Sequence, residues 1–188
     1  MNDAVLQGLM PAPMPKPSHD ERDDIGRLVA LTWHGSGTAP SLAGERWLVA
    51  VDGSPCALRA VAMVARLVVG TSAPEVDLVH VQPWLNKEAA EHELARRGWA
   101  ATAEARKLLE AQGIGWHLQT LMGEEASAIT SLAETLGSLG IALGSRGLTA
   151  TESVLLGSVA QKVSHQAKTA VLIVRQRMNC KESGNAAA

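Results

Sequence analysis

Apolar and polar positions along this chain follow two rhythms, short apolar runs of strand length and longer stretches with apolar residues at helical spacing. The first clear run, Arg46 to Val51, predicts a strand that Asp52-Gly53 ends. Ser54 followed by Pro55 is a good N-cap and N1 pair, and Leu58, Val61, Ala62, Ala65 and Val69 then mark one helix face. Val76 to Val81 predicts a second strand, broken by Gln-Pro-Trp. From Lys87 to Gln112 a single long helix is expected, with Leu94, Ala101, Ala105 and Leu108 on one side. Gly98 costs about 1 kcal/mol inside it and is expected to mark a bend. Ile114 to Met122 reads as a third strand, Ala126 to Leu136 as a helix, Ile141 to Leu143 as a fourth strand and Ala170 to Val174 as a fifth. Strands alternating with helices predict an α/β fold with a parallel sheet, because each crossover helix returns the chain to the same end.

Between the fourth and fifth strands lies the segment GSRGLTATESVLLGSVAQKVSHQAKTAVLIV, from Gly144 to Val174. Gly144 and Gly147 permit a sharp turn and close approach of the backbone. Val159, Val163 and Ala167 recur at helical spacing, which places Gly157 and Ser158 at a helix N-terminus with unpaired N–H groups. Such a terminus favours an anion, the dipole contributing roughly 0.3–1 kcal/mol. The Ser158 hydroxyl adds a donor. Ordinary turn punctuation is the competing reading of the glycines.

The pattern G-2x-G-9x-G-S, followed by a short helix and a Val-Leu-Ile-Val-Arg strand, resembles the nucleotide-binding end of the universal stress protein family. Trp47-Leu-Val-Ala-Val-Asp-Gly-Ser likewise resembles the family's first strand and its acidic turn. The resemblance covers residues 46–175 and implies a five-stranded parallel sheet in the order 3-2-1-4-5 with helices on both faces. This Rossmann-like architecture is shared with adenine nucleotide alpha hydrolase-like proteins. In that order the ends of strands one and four meet where their helices leave on opposite faces, the place where open α/β sheets bind ligands. The resemblance further implies that Ala50 and Val81 line an adenine pocket, and that Gly144, Gly147, Gly157, Ser158 and Val159 surround ribose and phosphates. Asp52 would face the glycine loop and accept hydrogen bonds from ribose or base, a turn-forming Asp being the alternative. Arg146 is placed either to reach a phosphate or simply in solvent. ATP, AMP or another adenine nucleotide is the ligand implied, with any Mg²⁺ or Mn²⁺ held through phosphates and water. Two departures from the family pattern stand out: Leu139-Gly140 occupies the place of an Asp before the fourth strand, and Ala170 that of a Pro before the last.

The chain of 188 residues is sized for one domain, here residues 46–175 between a Pro-rich N-terminal extension, 1–45, and a tail, 176–188. Prolines at alternate positions in MPAPMPKP predict an extended, flexible leader. The apolar piece Leu28 to Trp33 carries no assignment. Seventeen Lys and Arg against nineteen Asp and Glu give a net charge of -2 without a basic block, so nucleic acid is not an expected partner. No apolar stretch approaches the roughly 20 residues a spanning helix needs, so no membrane association is expected. The start, Met-Asn-Asp, has no basic region followed by an apolar one, so no secretory signal is expected. Two cysteines, Cys56 and Cys180, fit a reducing compartment, and a cytoplasmic location is expected. Phe and Tyr are absent while Trp occurs five times, a bias with no explanation at this level.

The six histidines show no metal-ligand spacing, so a metal site of the protein's own is not expected. His80 alternates with apolar strand residues and reads as packed or hydrogen-bonded. Cys56 is either a thiol activated by a helix N-terminus or an inert core residue. The loop DGSPCA lacks the SGGxDS form with which pyrophosphatases of related architecture grip an adenylate. The function expected is therefore an ATP-binding regulatory module of a stress response, with at most slow hydrolysis, since no dedicated general base is visible. A nucleotide-free interaction module and an enzyme that transfers or cleaves adenylate are the alternatives. A homodimer through the exposed apolar edge strand Ala170 to Val174 is expected.

Overall fold

The computed structural model describes residues 14–35, 46–71, 74–148 and 156–175. The leader up to residue 13, the centre of the glycine loop at 149–155, Cys180 and the tail at 176–188 lie outside the described residues.

Seven strands form one sheet: β1 (His19–Arg22), β2 (Leu28–His34), β3 (Trp47–Ala50), β4 (Glu75–Gln82), β5 (Gly115–Met122), β6 (Gly140–Gly144) and β7 (Ala170–Val174). Their order is β1-β2-β5-β4-β3-β6-β7. The five strands from β3 to β7 are mutually parallel and stand in the order expected for the first to fifth strands. The expectation of five strands is corrected to seven, because β1 and β2 come from the extension before residue 46, where the family pattern does not reach. Both additional strands run antiparallel, β2 on the edge of β5 and β1 outside it.

Five helices are described: α1 (Pro55–Val68), α2 (Lys87–Ala101), α3 (Ala103–Ala111), α4 (Glu125–Leu136) and α5 (Ser158–Gln166). Ser54 caps α1 by accepting from Ala57 N at 3.1 Å, with Pro55 in the first turn. The one long helix expected from Lys87 to Gln112 is two. The break falls at Thr102, whose hydroxyl donates to Gly98 O at 2.8 Å, and α2 runs through Gly98 without stopping. Glycine at 98 answers to packing instead, because a Cβ there would lie 2.1 Å from Thr120 Oγ1 on β5.

The core has two halves, one on each sheet face. Val61, Val64, Leu78, Leu94, Leu109 and Leu118 fill the layer between the sheet and α1–α3. Leu48, Val79, Ile129, Ile141 and Val163 fill the layer under α4 and α5. The helix after β3 thus covers one face and the helix after β6 the other, which makes the β3/β6 boundary the topological switch point.

Three of the tryptophans dock the extension. Trp33 on β2 is 2% exposed, its ring lies 5.7 Å from that of Trp99 on α2, and Trp99 lies 6.1 Å from Trp116 on β5. The Arg106 guanidinium stacks 3.4 Å from the Trp99 centroid and donates to Trp99 O, so its planar charge is held against aromatic faces. Trp33 Nε1 donates to Pro15 O at 3.0 Å. Beyond the cluster, Arg22 pairs with Glu91, and Arg27 stacks on Trp84.

Candidate functional site

In a parallel sheet all C-terminal strand ends gather on one rim, and here a cavity of about 480 Å³ opens on that rim at the switch point. Ala50, Asp52, Val81, Gly144, Arg146, Gly147, Gly157, Ser158 and Val159, the nine residues singled out in the sequence, all line it. Its floor is apolar, made by Ala50, Val79, Val81, Ile129 and Leu143. The opposite wall is the glycine loop and the start of α5.

Asp52 links the two sides. Its Oδ1 accepts from Ser54 N at 2.9 Å, closing the turn after β3 around Gly53, whose φ is +86°. Its Oδ2 accepts from Leu148 N at 3.1 Å, across the crevice in the glycine loop. The turn-forming role is therefore real, and a second role of bracing the loop accompanies it. Gly147 lies against this carboxylate, since a Cβ there would be 2.7 Å from Asp52 Oδ2. At Gly144 the close approach is to the protein's own backbone: a Cβ would meet the Cys56 carbonyl carbon at 2.7 Å and Ala57 N at 2.8 Å. Gly144 is what lets β6 pack under the first turn of α1. Cys56 is buried in that same contact.

The ends of the glycine loop are tied together, because Gly157 N donates to Ser145 O at 2.7 Å. Ser145 is buried, and its N donates to Val174 O at 2.8 Å, which anchors the loop's start to β7. Gly157 is the N-cap of α5 and has no side chain to cap it, and the first turn carries no acidic residue. The positive end of the helix is thus left uncompensated by its own sequence. Gly157 has an ordinary φ of -70°, and a Cβ there would meet nothing nearer than 3.5 Å. The fold itself does not require a glycine at this position.

Two titratable lining residues, His80 and Glu125, escaped the sequence reading as site members. His80 Nδ1 donates to Val51 O at 2.9 Å, which leaves Nε2 as an acceptor. Burial pushes this imidazole below its ordinary pKa, while the Val51 carbonyl and the Asp52 charge oppose the shift. Glu125 opens α4 and adds a second carboxylate to the wall. Its neighbour Glu124 caps α4 by accepting from Ser127 N at 2.8 Å and pairs with Lys162 of α5 at 2.8 Å. The Lys162 hydrogen bond, then that of Ser127, draws the Glu124 carboxyl down to about 2. Both His80 and Glu125 stand at or just past the C-terminal end of a parallel strand. That placement was the available signal once the strands had been assigned.

A doubly wound α/β protein with a small-molecule-sized crevice at its switch point is the class that this fold and cavity define. The family model described as the universal stress protein family matches residues 45–175, and the chain belongs to that family. It is 28% identical to the universal stress protein YxiE of Bacillus subtilis over 147 residues, covering 70% of this chain and 99% of YxiE. It is also 35% identical to the universal stress protein MJ0531 of Methanocaldococcus jannaschii over 83 residues, which are 44% of this chain and 49% of MJ0531. Among solved structures, hypothetical protein MJ0577 superposes with a TM-score of 0.63 at 25% identity, covering 72% of this chain and 99% of that one. A universal stress protein solved in complex with cAMP superposes with a TM-score of 0.54 at 26% identity, covering 71% of this chain and 98% of that one.

Proposed function

We propose that the crevice binds an adenine nucleotide, with ATP as the expected ligand, and that the chain acts as a nucleotide-dependent regulatory module of a stress response. The observation that carries this reading is a pairing across one cavity: an uncapped, acid-free helix N-terminus at Gly157–Ser158 faces a carboxylate at Asp52. A phosphate belongs at the first, and ribose hydroxyls, which can donate, belong near the second. The apolar floor suits a planar base, and a cavity of about 480 Å³ is of small-ligand size. The relative crystallised with cAMP bound a ligand that contains the same three parts, adenine, ribose and phosphate. Any Mg²⁺ or Mn²⁺ accompanying ATP is held through the phosphates and water in this reading. Both Asp52 oxygens already accept backbone N–H groups, which ties the carboxylate to positioning and fits slow hydrolysis at most.

The test is the nucleotide content of freshly purified protein, released by denaturation and resolved by chromatography, then titration of the emptied protein with ATP and AMP. Binding at micromolar Kd, about 8 kcal/mol, is expected. Gly157→Asp puts a negative charge in the phosphate seat and should weaken ATP binding at least tenfold. Because the site has room for a Cβ and Asp is a good N-cap, that variant should melt no lower than the parent. Undiminished ATP binding by Gly157→Asp would overturn the site. An emptied parent protein that fails to bind ATP would instead mark a nucleotide-free interaction module. Turnover of ATP to AMP and pyrophosphate would mark an adenylate-transferring enzyme.

A further inference from the structure

At the other end of the sheet, near the starts of β4 and β5, a second group of polar side chains is packed together. His34 and His117 are direct cross-strand partners on β2 and β5, so both side chains leave the same sheet face. Their Nδ1 atoms are 2.6 Å apart, with ring planes at 79°. His117 Nε2 lies 3.3 Å from Glu75 Oε2. A carboxylate only accepts, so Nε2 carries the proton, and Nδ1 of neutral His117 is a lone pair aimed at His34.

We propose that His34 and His117 form a site for a late first-row divalent cation such as Zn²⁺ or Ni²⁺, with Glu75 as the carboxylate that orients His117. Both imidazoles present Nδ1 to one point, and a cation binds there when His34, like His117, carries its proton on Nε2, so that both Nδ1 lone pairs are offered to the metal. Metal–nitrogen bonds near 2.0–2.1 Å need the two nitrogens to part to roughly 3–3.5 Å. A small turn of His34, exposed at the last position of β2, supplies this. A carboxylate on the far nitrogen of a ligating imidazole is the usual way such a ring is held in the right tautomer.

The surrounding charges call for a cation. Glu75 and Asp77 are 5% and 4% exposed, and Arg46 is their shared partner, at 3.3 Å and 3.0 Å. With both imidazoles neutral, two buried carboxylates face one guanidinium and leave a net negative charge. Glu75 Oε1 is buried and has no hydrogen-bond partner among the described residues. Among the described residues no three His, Cys, Asp or Glu side chains converge on one point, so water completes the coordination. Imidazole pairs of this kind select Zn²⁺, Ni²⁺ or Cu²⁺ over Mg²⁺.

The experiment is calorimetric titration of the tag-free full chain with ZnCl₂ and, separately, NiCl₂, with MgCl₂ as the control. One equivalent per chain is expected at micromolar Kd, with no saturable Mg²⁺ binding. His34→Ala, a change at an exposed strand end, should weaken binding at least tenfold while leaving the melting temperature near that of the parent. Glu75→Gln should weaken it tenfold or more, and His92→Ala, on an exposed face of α2, should leave it unchanged. Imidazole signals of His34 and His117 should broaden together as Ni²⁺ is added. Absence of saturable Zn²⁺ and Ni²⁺ binding, or binding that survives His34→Ala, overturns the proposal. So does equal loss in His92→Ala.

Discussion

His80 shows how one side chain couples the crevice to pH. Its folded-state pKa is lowered from 6.5, mainly by burial, so the unfolded chain takes up a proton first as the solution is acidified. Stability is therefore level above the unfolded value and falls as pH drops through the window from 6.5 to the lowered folded value, by at most about 1.4 kcal/mol per pH unit for one proton. Denaturant melts from pH 7 to pH 5 should show this slope, and His80→Gln should reduce it without abolishing it, since His34 is shifted the same way. An unchanged slope in His80→Gln would show that the imidazole titrates normally. Gly98 makes the steric case. Ala is the better helix former by about 1 kcal/mol, yet the added Cβ would lie 2.1 Å from Thr120 Oγ1 and 2.8 Å from Thr120 Cβ. Overpacking of this kind costs about 1–3 kcal/mol, so Gly98→Ala should lower the denaturant midpoint.

Among the elements, α1 and α5 are built to opposite ends. Ser54 and Pro55 close the N-terminus of α1, which packs against Gly144, whereas α5 opens on a bare glycine at the crevice. A cap on α5 would satisfy N–H groups that the proposed ligand is meant to satisfy. The β1–β2 hairpin uses a different device, an aromatic anchor on β2. Trp33 is 2% exposed, stacks near Trp99 and donates to Pro15 O. Trp33→Ala should cost about 3–5 kcal/mol through the cavity it leaves. Amide exchange should then quicken in β2 and at the newly exposed edge of β5 before it quickens in β3 or β6. Uniform loss of protection across the sheet would mean that the hairpin and the parallel core unfold together.

At the scale of the whole molecule, the two outermost strands of the sheet differ in kind. β1 reads His-Asp-Glu-Arg and is exposed throughout, and a charged edge of this sort resists pairing. β7 reads Ala-Val-Leu-Ile-Val and is only partly covered. We propose that β7 pairs with its own copy about a twofold axis, while the hairpin seals the other side of the sheet against further growth. Sedimentation at micromolar concentration should give twice the chain mass of 19.8 kDa, and a monomer would refute the pairing.

Much of this molecule was legible before any coordinates. The alternation that predicts β3 to β7, the Ser54-Pro55 start of α1 and the glycine spacing before α5 are local patterns, written in residues that are neighbours in sequence. All nine residues that the resemblance carried by those motifs implies line one crevice, because in a parallel sheet the loops after the strands must share a rim. The tertiary structure decided what depends on distant partners. Leu28 to Trp33 is a strand because β5 offers it an edge, and Gly98 is small because Thr120 is opposite. His34 and His117, 83 positions apart, become one pair of nitrogens only through the register of β2 on β5. Local chemistry is carried by the order of residues along the chain, whereas pairing across strands is a property of which surfaces can be buried together, and that is settled only when the whole sheet forms.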